Sequence, residues 1–156
     1  MVDIISQKII ATLPTLQVST NIQKLRNDLS TLDQEFTLGL KQCETRTFIT
    51  SHAAFGYLAR DYELRQVSVA GISPEEEPSA KTIADIITLV KKENLKAVFS
   101  EPLVSQKLID TIAKETGAIT YLLHPLESLD LSETSLGYVG VMRQNLAKLK
   151  SGLHCQ

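Results

Sequence analysis

The stretch Thr47-Phe48-Ile49-Thr50-Ser51-His52-Ala53-Ala54-Phe55-Gly56 decides how the chain is read. Its first four residues are β-branched or aromatic, the composition of a buried strand. A helical pattern follows over residues 53–62, with Phe55, Leu58 and Tyr62 on one face. A strand that passes straight into a helix is the opening of a βα unit, and His52 stands at the junction. Ligands of α/β sheets collect at the carboxyl ends of the strands. Imidazole at that position suits a borderline metal ion or proton exchange near neutral pH. A plainer role is equally open, in which Ser51 or His52 starts the helix as a cap.

Working outward, the same rhythm repeats. Residues 66–70 form a strand pattern around Val67 and Val69, and residues 79–93 a helix pattern on Ile83, Ile86, Ile87 and Val90. A strand over 96–99 precedes a helix over 104–116, which Gly117 is placed to stop. A strand over 119–123 precedes a last helix over 133–150, with Tyr138, Met142, Leu146 and Leu149 as its stripe. Four strands separated by helices predict an α/β lobe, a four-stranded parallel sheet with helices on both faces. The beginning of the chain departs from this rhythm. Residues 2–13 read as a short helix that Leu13-Pro14 ends, since the residue before proline is pushed out of helical geometry. Ser19, Thr20 or Asn21 can cap a longer helix whose apolar residues, Ile22, Leu25, Leu29, Leu32, Phe36 and Leu40, form one narrow stripe. Residues 1–42 are therefore read as a helical arm, and residues 43–156 as the lobe.

Composition narrows the function classes. A formal net charge of −2, with no basic cluster larger than a pair, argues against a nucleic-acid footprint. No apolar run reaches the length of a membrane span. The first thirteen residues carry Asp3, Gln7 and Lys8 and lack the basic start of an export signal. Trp is absent and aromatics are 5% of the chain, too few for a sugar- or peptide-stacking surface. The two cysteines, Cys43 and Cys155, lie outside any Cys-x-x-Cys motif. They are either two idle thiols or one long-range disulfide, which by loop entropy contributes roughly 4–5 kcal/mol and needs an oxidising compartment.

Further acidic and imidazole positions compete for chemistry. Glu127, in Leu126-Glu127-Ser128, follows the last strand and opens on the same sheet edge as His52. It can complete an oxygen/nitrogen metal site, or simply favour a helix dipole as a first-turn glutamate. His124 competes with it as a ligand three residues earlier, while His154 lies in the tail and reads as solvated. Glu101 follows the third strand and can orient His52 by accepting its second N–H, or be an exposed loop carboxylate. Glu75, Glu76 and Glu77 read as a solvated loop. Neither a nucleophile elbow nor a phosphate or dinucleotide glycine pattern occurs.

Three motifs in order, Thr50-Ser51-His52-Ala53-Ala54-Phe55-Gly56, Gly71-Ile72-Ser73-Pro74-Glu75-Glu76-Glu77-Pro78-Ser79 and Pro125-Leu126-Glu127-Ser128-Leu129, carry a resemblance. Together they resemble the C-terminal half of the zinc/manganese ABC-transporter solute-binding proteins of the TroA-like superfamily. The resemblance runs from about Pro14 to the end of the chain. It implies two α/β lobes joined by a rigid helix, here residues 19–42, with the metal between them and two ligands from each lobe. It implies His52 as the third ligand, Glu127 as the fourth, and a Cys43–Cys155 disulfide. It leaves His124 out, because the family often has Asn there. It further implies zinc as the cargo, a membrane permease as partner and a periplasmic or extracytoplasmic parent. An N-terminal lobe with two more histidines, a His-rich loop and an export signal is absent, so the chain is expected to be a C-terminal fragment. The alternatives are a manganese receptor of the same family, a small stand-alone enzyme using His52 and Glu127 as an acid/base pair, and a docking module.

Overall fold

The computed structural model describes residues 2–12, 18–73, 78–102, 104–127 and 131–156, without the side chains of 131–133. The expected loop glutamates Glu75, Glu76 and Glu77, the break at Pro14, and Ser128 and Leu129 lie outside the described residues. The chain forms two compact units, Met1–Glu35 and Phe36–Gln156. The first holds helix α1 (Val2–Thr12) and most of helix α2 (Ser19–Gly39), with Arg26 paired to Asp3 at 2.6 Å.

In the second unit, strands β1 (Thr47–Thr50), β2 (Arg65–Ser68), β3 (Ala97–Ser100) and β4 (Ile119–Leu122) form one sheet in the order β2-β1-β3-β4. Every neighbouring pair is parallel, as the alternation of strands and helices requires. From β1 the chain winds out to β2 on one side. It then crosses back to β3 and β4 on the other. The winding reverses between β1 and β3, and such a reversal opens a crevice at the carboxyl ends of those two strands.

Side-chain alternation divides the core. Ile49 and Val98 pack with Ile86 and Val90 of helix α4 (Ala80–Lys92) and Ile109 and Ile112 of helix α5 (Gln106–Thr116). Phe48 and Phe99 point to the other face and meet edge to face, with centroids 6.1 Å apart. Helix α6 (Leu131–Leu153) covers that face at Gly152, where an added Cβ would lie 2.6 Å from the Phe99 ring. Ser79 caps α4 by accepting from the Thr82 N–H, and Gly117 ends α5 at φ 75, the latter where the sequence puts it.

Two elements differ from expectation. Helix α3 (Gly56–Asp61) starts after a series of turns, so neither Ser51 nor His52 caps it; Phe55 occupies its N-cap without a side-chain bond. The reason lies in the ladder, which continues past β1: Val69, Ala70 and Ala53 N–H groups donate to Thr50, Ser51 and Gly71 carbonyls at 2.8–2.9 Å. Helix α6 is broken at Gly137, whose φ of 62 and ψ of 178 only glycine adopts without strain. Beyond that break the buried side chains are Val141, Asn145, Leu146, Leu149 and Leu153: Leu146 and Leu149 of the expected stripe are buried, Met142 is partly buried and Tyr138 is half exposed.

At the amino edge of the sheet, Cys43 and Cys155 are joined by a disulfide. The tail also pairs with the segment leading into β1, Gln156 N–H donating to the Gln42 carbonyl at 2.9 Å and Glu44 N–H to that of His154 at 3.3 Å. Among the described residues, no helix is long and apolar enough to cross a membrane.

Candidate metal centre

His52 follows β1 and Glu101 follows β3, so the two face each other across the point where the winding reverses. Both are buried, His52 at 2% and Glu101 at 0% exposure. Of the two readings of residue 101, the exposed loop carboxylate is therefore excluded. The peptide N–H of His52 donates to Glu101 Oε1 at 3.0 Å. Its carbonyl accepts from the Thr50 hydroxyl at 2.7 Å and the Gln66 amide at 2.9 Å. Backbone and ring are therefore fixed together. Nδ1 lies 2.5 Å from Glu101 Oε2, within ion-pair range although off the line of a hydrogen bond. Burial is the main reason the Glu101 carboxyl is held above the ordinary carboxylate range, with the charge of Glu127 adding to it. The His52 and Ser51 backbone N–H groups and the His52 charge pull the other way.

The other ring nitrogen looks outward. Nε2 lies 3.3 Å from Glu127 Oε1, on a side chain 45% exposed. Two ligand atoms each ~2.05 Å from one ion at the tetrahedral angle stand about 3.3 Å apart. The pair thus has the separation of one edge of a zinc tetrahedron. A carboxylate behind the other nitrogen is the usual means of fixing tautomer and ring orientation in a ligating histidine. Among the described residues, no group of three or more His, Cys, Asp or Glu side chains forms a metal shell by itself. What this chain offers is one open edge.

Glu127 stands on the loop after β4. That loop is shaped by His124, whose Nδ1 accepts from the Leu126 N–H at 2.8 Å, and Leu126 adopts φ 67. His124 is buried behind the loop, in keeping with its omission from the ligand set. His154 is exposed beside Cys155 at the opposite edge of the sheet. The sequence reading gave no role to Thr50, although it opens the His52 motif, nor to Gln66 and Asn145, polar residues outside any motif. Only the interruption of an apolar stripe at Asn145 signals one of them.

The model of the family described as zinc-uptake complex component A, periplasmic (ZnuA) matches residues 1–152. The high-affinity zinc uptake system protein ZnuA of Bacillus subtilis is 45% identical over 127 residues, covering 80% of this chain and 40% of that protein. The zinc-binding lipoprotein AdcA of Streptococcus pneumoniae is 44% identical over 124 residues, covering 78% of this chain and 25% of that one. The crystal structure of the Zn(II)-bound ZnuA-like domain of the pneumococcal AdcA is similar with a TM-score of 0.77 and 38% identity, over 94% of this chain and 57% of that one. This chain thus spans less than half the length of both curated relatives.

Proposed function

Because the chain belongs to the family of periplasmic zinc-uptake complex component A, a family of solute-binding receptors, we propose that it is the C-terminal lobe of a zinc receptor. The receptor captures zinc outside the cytoplasmic membrane and passes it to the permease of an ABC importer. His52 Nε2 and Glu127 supply two of four ligands; the other two come from a second lobe. Residues 1–42 form the arm and connection towards that lobe, and residues 43–156 the lobe itself. Zinc is cargo here, so the site must hold it selectively and still let it go. A shell divided between two lobes meets both needs, because separating the lobes removes half the ligands.

The observation that carries this reading is the 3.3 Å edge between His52 Nε2 and Glu127 Oε1, backed by a buried carboxylate at the far nitrogen. An imidazole in the shell suits zinc, whereas oxygen-rich sets suit manganese. Nitrogen NMR of the histidine rings during zinc titration tests the assignment. Zinc should move the His52 Nε2 resonance strongly and leave those of His124 and His154 in place. A His52 ring that stays unchanged while another histidine responds would remove the site from this edge of the sheet.

A further inference from the structure

We infer that Asn145 is a positioning residue for the cargo metal, acting through the loop that presents Glu127. Asn145 lies on α6, 1% exposed, in the middle of an otherwise apolar stripe. A buried primary amide needs a reason, since an unpaired one costs about 1–3 kcal/mol. Its two oxygen and nitrogen partners belong to one residue of the loop, beside a 3.8 Å contact of its Nδ2 with Met142 Sδ on the same helix. The Asn145 Oδ1 accepts the His124 N–H at 2.9 Å, and its Nδ2 donates to the His124 carbonyl at 2.8 Å. The side chain stands in for the next strand of the sheet, pairing both backbone groups of His124 just beyond β4, where the ladder has run out.

From His124 the restraint passes forward. The imidazole Nδ1 accepts the Leu126 N–H, so in the neutral ring the proton sits on Nε2. That bond holds the chain one residue before Glu127 and supports a positive φ of 67 at Leu126, a conformation that a γ-branched residue adopts only under constraint. Two buried hydrogen bonds thus fix the start of the loop and a third fixes its turn. Among the described residues the half-exposed Glu127 side chain meets only His52 Nε2, at 3.3 Å, and it inherits its position from these bonds. A carboxylate that must meet His52 Nε2 across one ion has little tolerance for drift. Outer-shell contacts of this kind typically change metal affinity by about 10–100-fold.

This inference rests on the reading that His52 and Glu127 hold the metal, and the experiment separates the two. Zinc chloride is titrated into the chain and into Glu127→Gln, Asn145→Asp and the double variant, with the dissociation constant read from amide NMR shifts. Asp keeps the shape and the acceptor of Asn145 but cannot donate to the His124 carbonyl. Asn145→Asp should weaken zinc about ten-fold, and Glu127→Gln should then cost little more in its presence. Full additivity of the two, or unchanged affinity in a folded Asn145→Asp, overturns the role of Asn145. If Glu127→Gln and His52→Ala both leave wild-type affinity unchanged, the metal site itself is wrong. Should Asn145→Asp fail to fold, His124→Phe keeps the Asn145 clamp, removes the acceptor for Leu126 and carries the same additivity test.

Discussion

His52 is useful because its two nitrogens are given different surroundings. Nδ1 faces a buried carboxylate at 2.5 Å, and Nε2 faces outward to Glu127. Glu101 is the residue that stands to lose by this arrangement in the metal-free protein. Its carboxyl is held above the ordinary value of 4.5, chiefly by burial. A group with a raised folded-state pKa contributes stability while protonated, and that contribution is lost as pH rises through the folded-state value. Replacing it by Gln keeps an acceptor for the His52 N–H and removes the charge. Denaturant melts of metal-free protein should therefore find Glu101→Gln gaining on the wild type as pH rises from the carboxylate range to neutrality. Parallel stability curves would refute the buried-charge account. With zinc present the ranking should reverse, because the variant no longer supports the imidazole as a ligand.

At the scale of elements, the sequence made the sheet legible because its strands are short, apolar and evenly separated by amphipathic helices. β1 with His52 after it, and the loop carrying Glu127, followed from that pattern together with parallel pairing. Glu101 was legible as a position but not as a buried group, because burial depends on the neighbouring strand. α6 was misjudged for a definite reason. The stripe was drawn through apolar side chains alone, so Tyr138 at the first turn after the Gly137 break entered it and the polar Asn145 was left out. The same helix carries a close approach that periodicity cannot reveal. A Cβ on Gly152 would lie 2.6 Å from Phe99 Cζ and 2.9 Å from Ala97 Cβ. The Phe99 ring is fully buried against Phe48 and Tyr121 and has nowhere to retreat. Gly152→Ala should lower stability by about 1–3 kcal/mol. The gain of up to about 1 kcal/mol from better helix propensity offsets that only in part. Thermal melts check it, and an unchanged or higher midpoint would mean that α6 does not bear on the sheet there.

At the scale of the whole molecule, the two ends of the lobe are tied at the edge opposite His52 and Glu127. The Cys43–Cys155 disulfide closes a separation of 112 residues. Its removal by paired Ser substitutions should cost about 2–4 kcal/mol, read from denaturant midpoints. The His52 response to zinc should survive, since the tail's backbone hydrogen bonds remain and the site lies at the other end of the strands. The resemblance carried the pairing of these cysteines; spacing alone left two idle thiols as good a reading. It also carried the division of the metal shell, which no property of one lobe can reveal. A lobe that holds only half of the shell should bind zinc weakly by itself. Isothermal titration of zinc into the metal-free chain, wild type against His52→Ala, measures it most directly. Binding should be weaker than micromolar and abolished by His52→Ala, because two ligands are half of a zinc shell. Submicromolar binding that survives His52→Ala would contradict the divided shell.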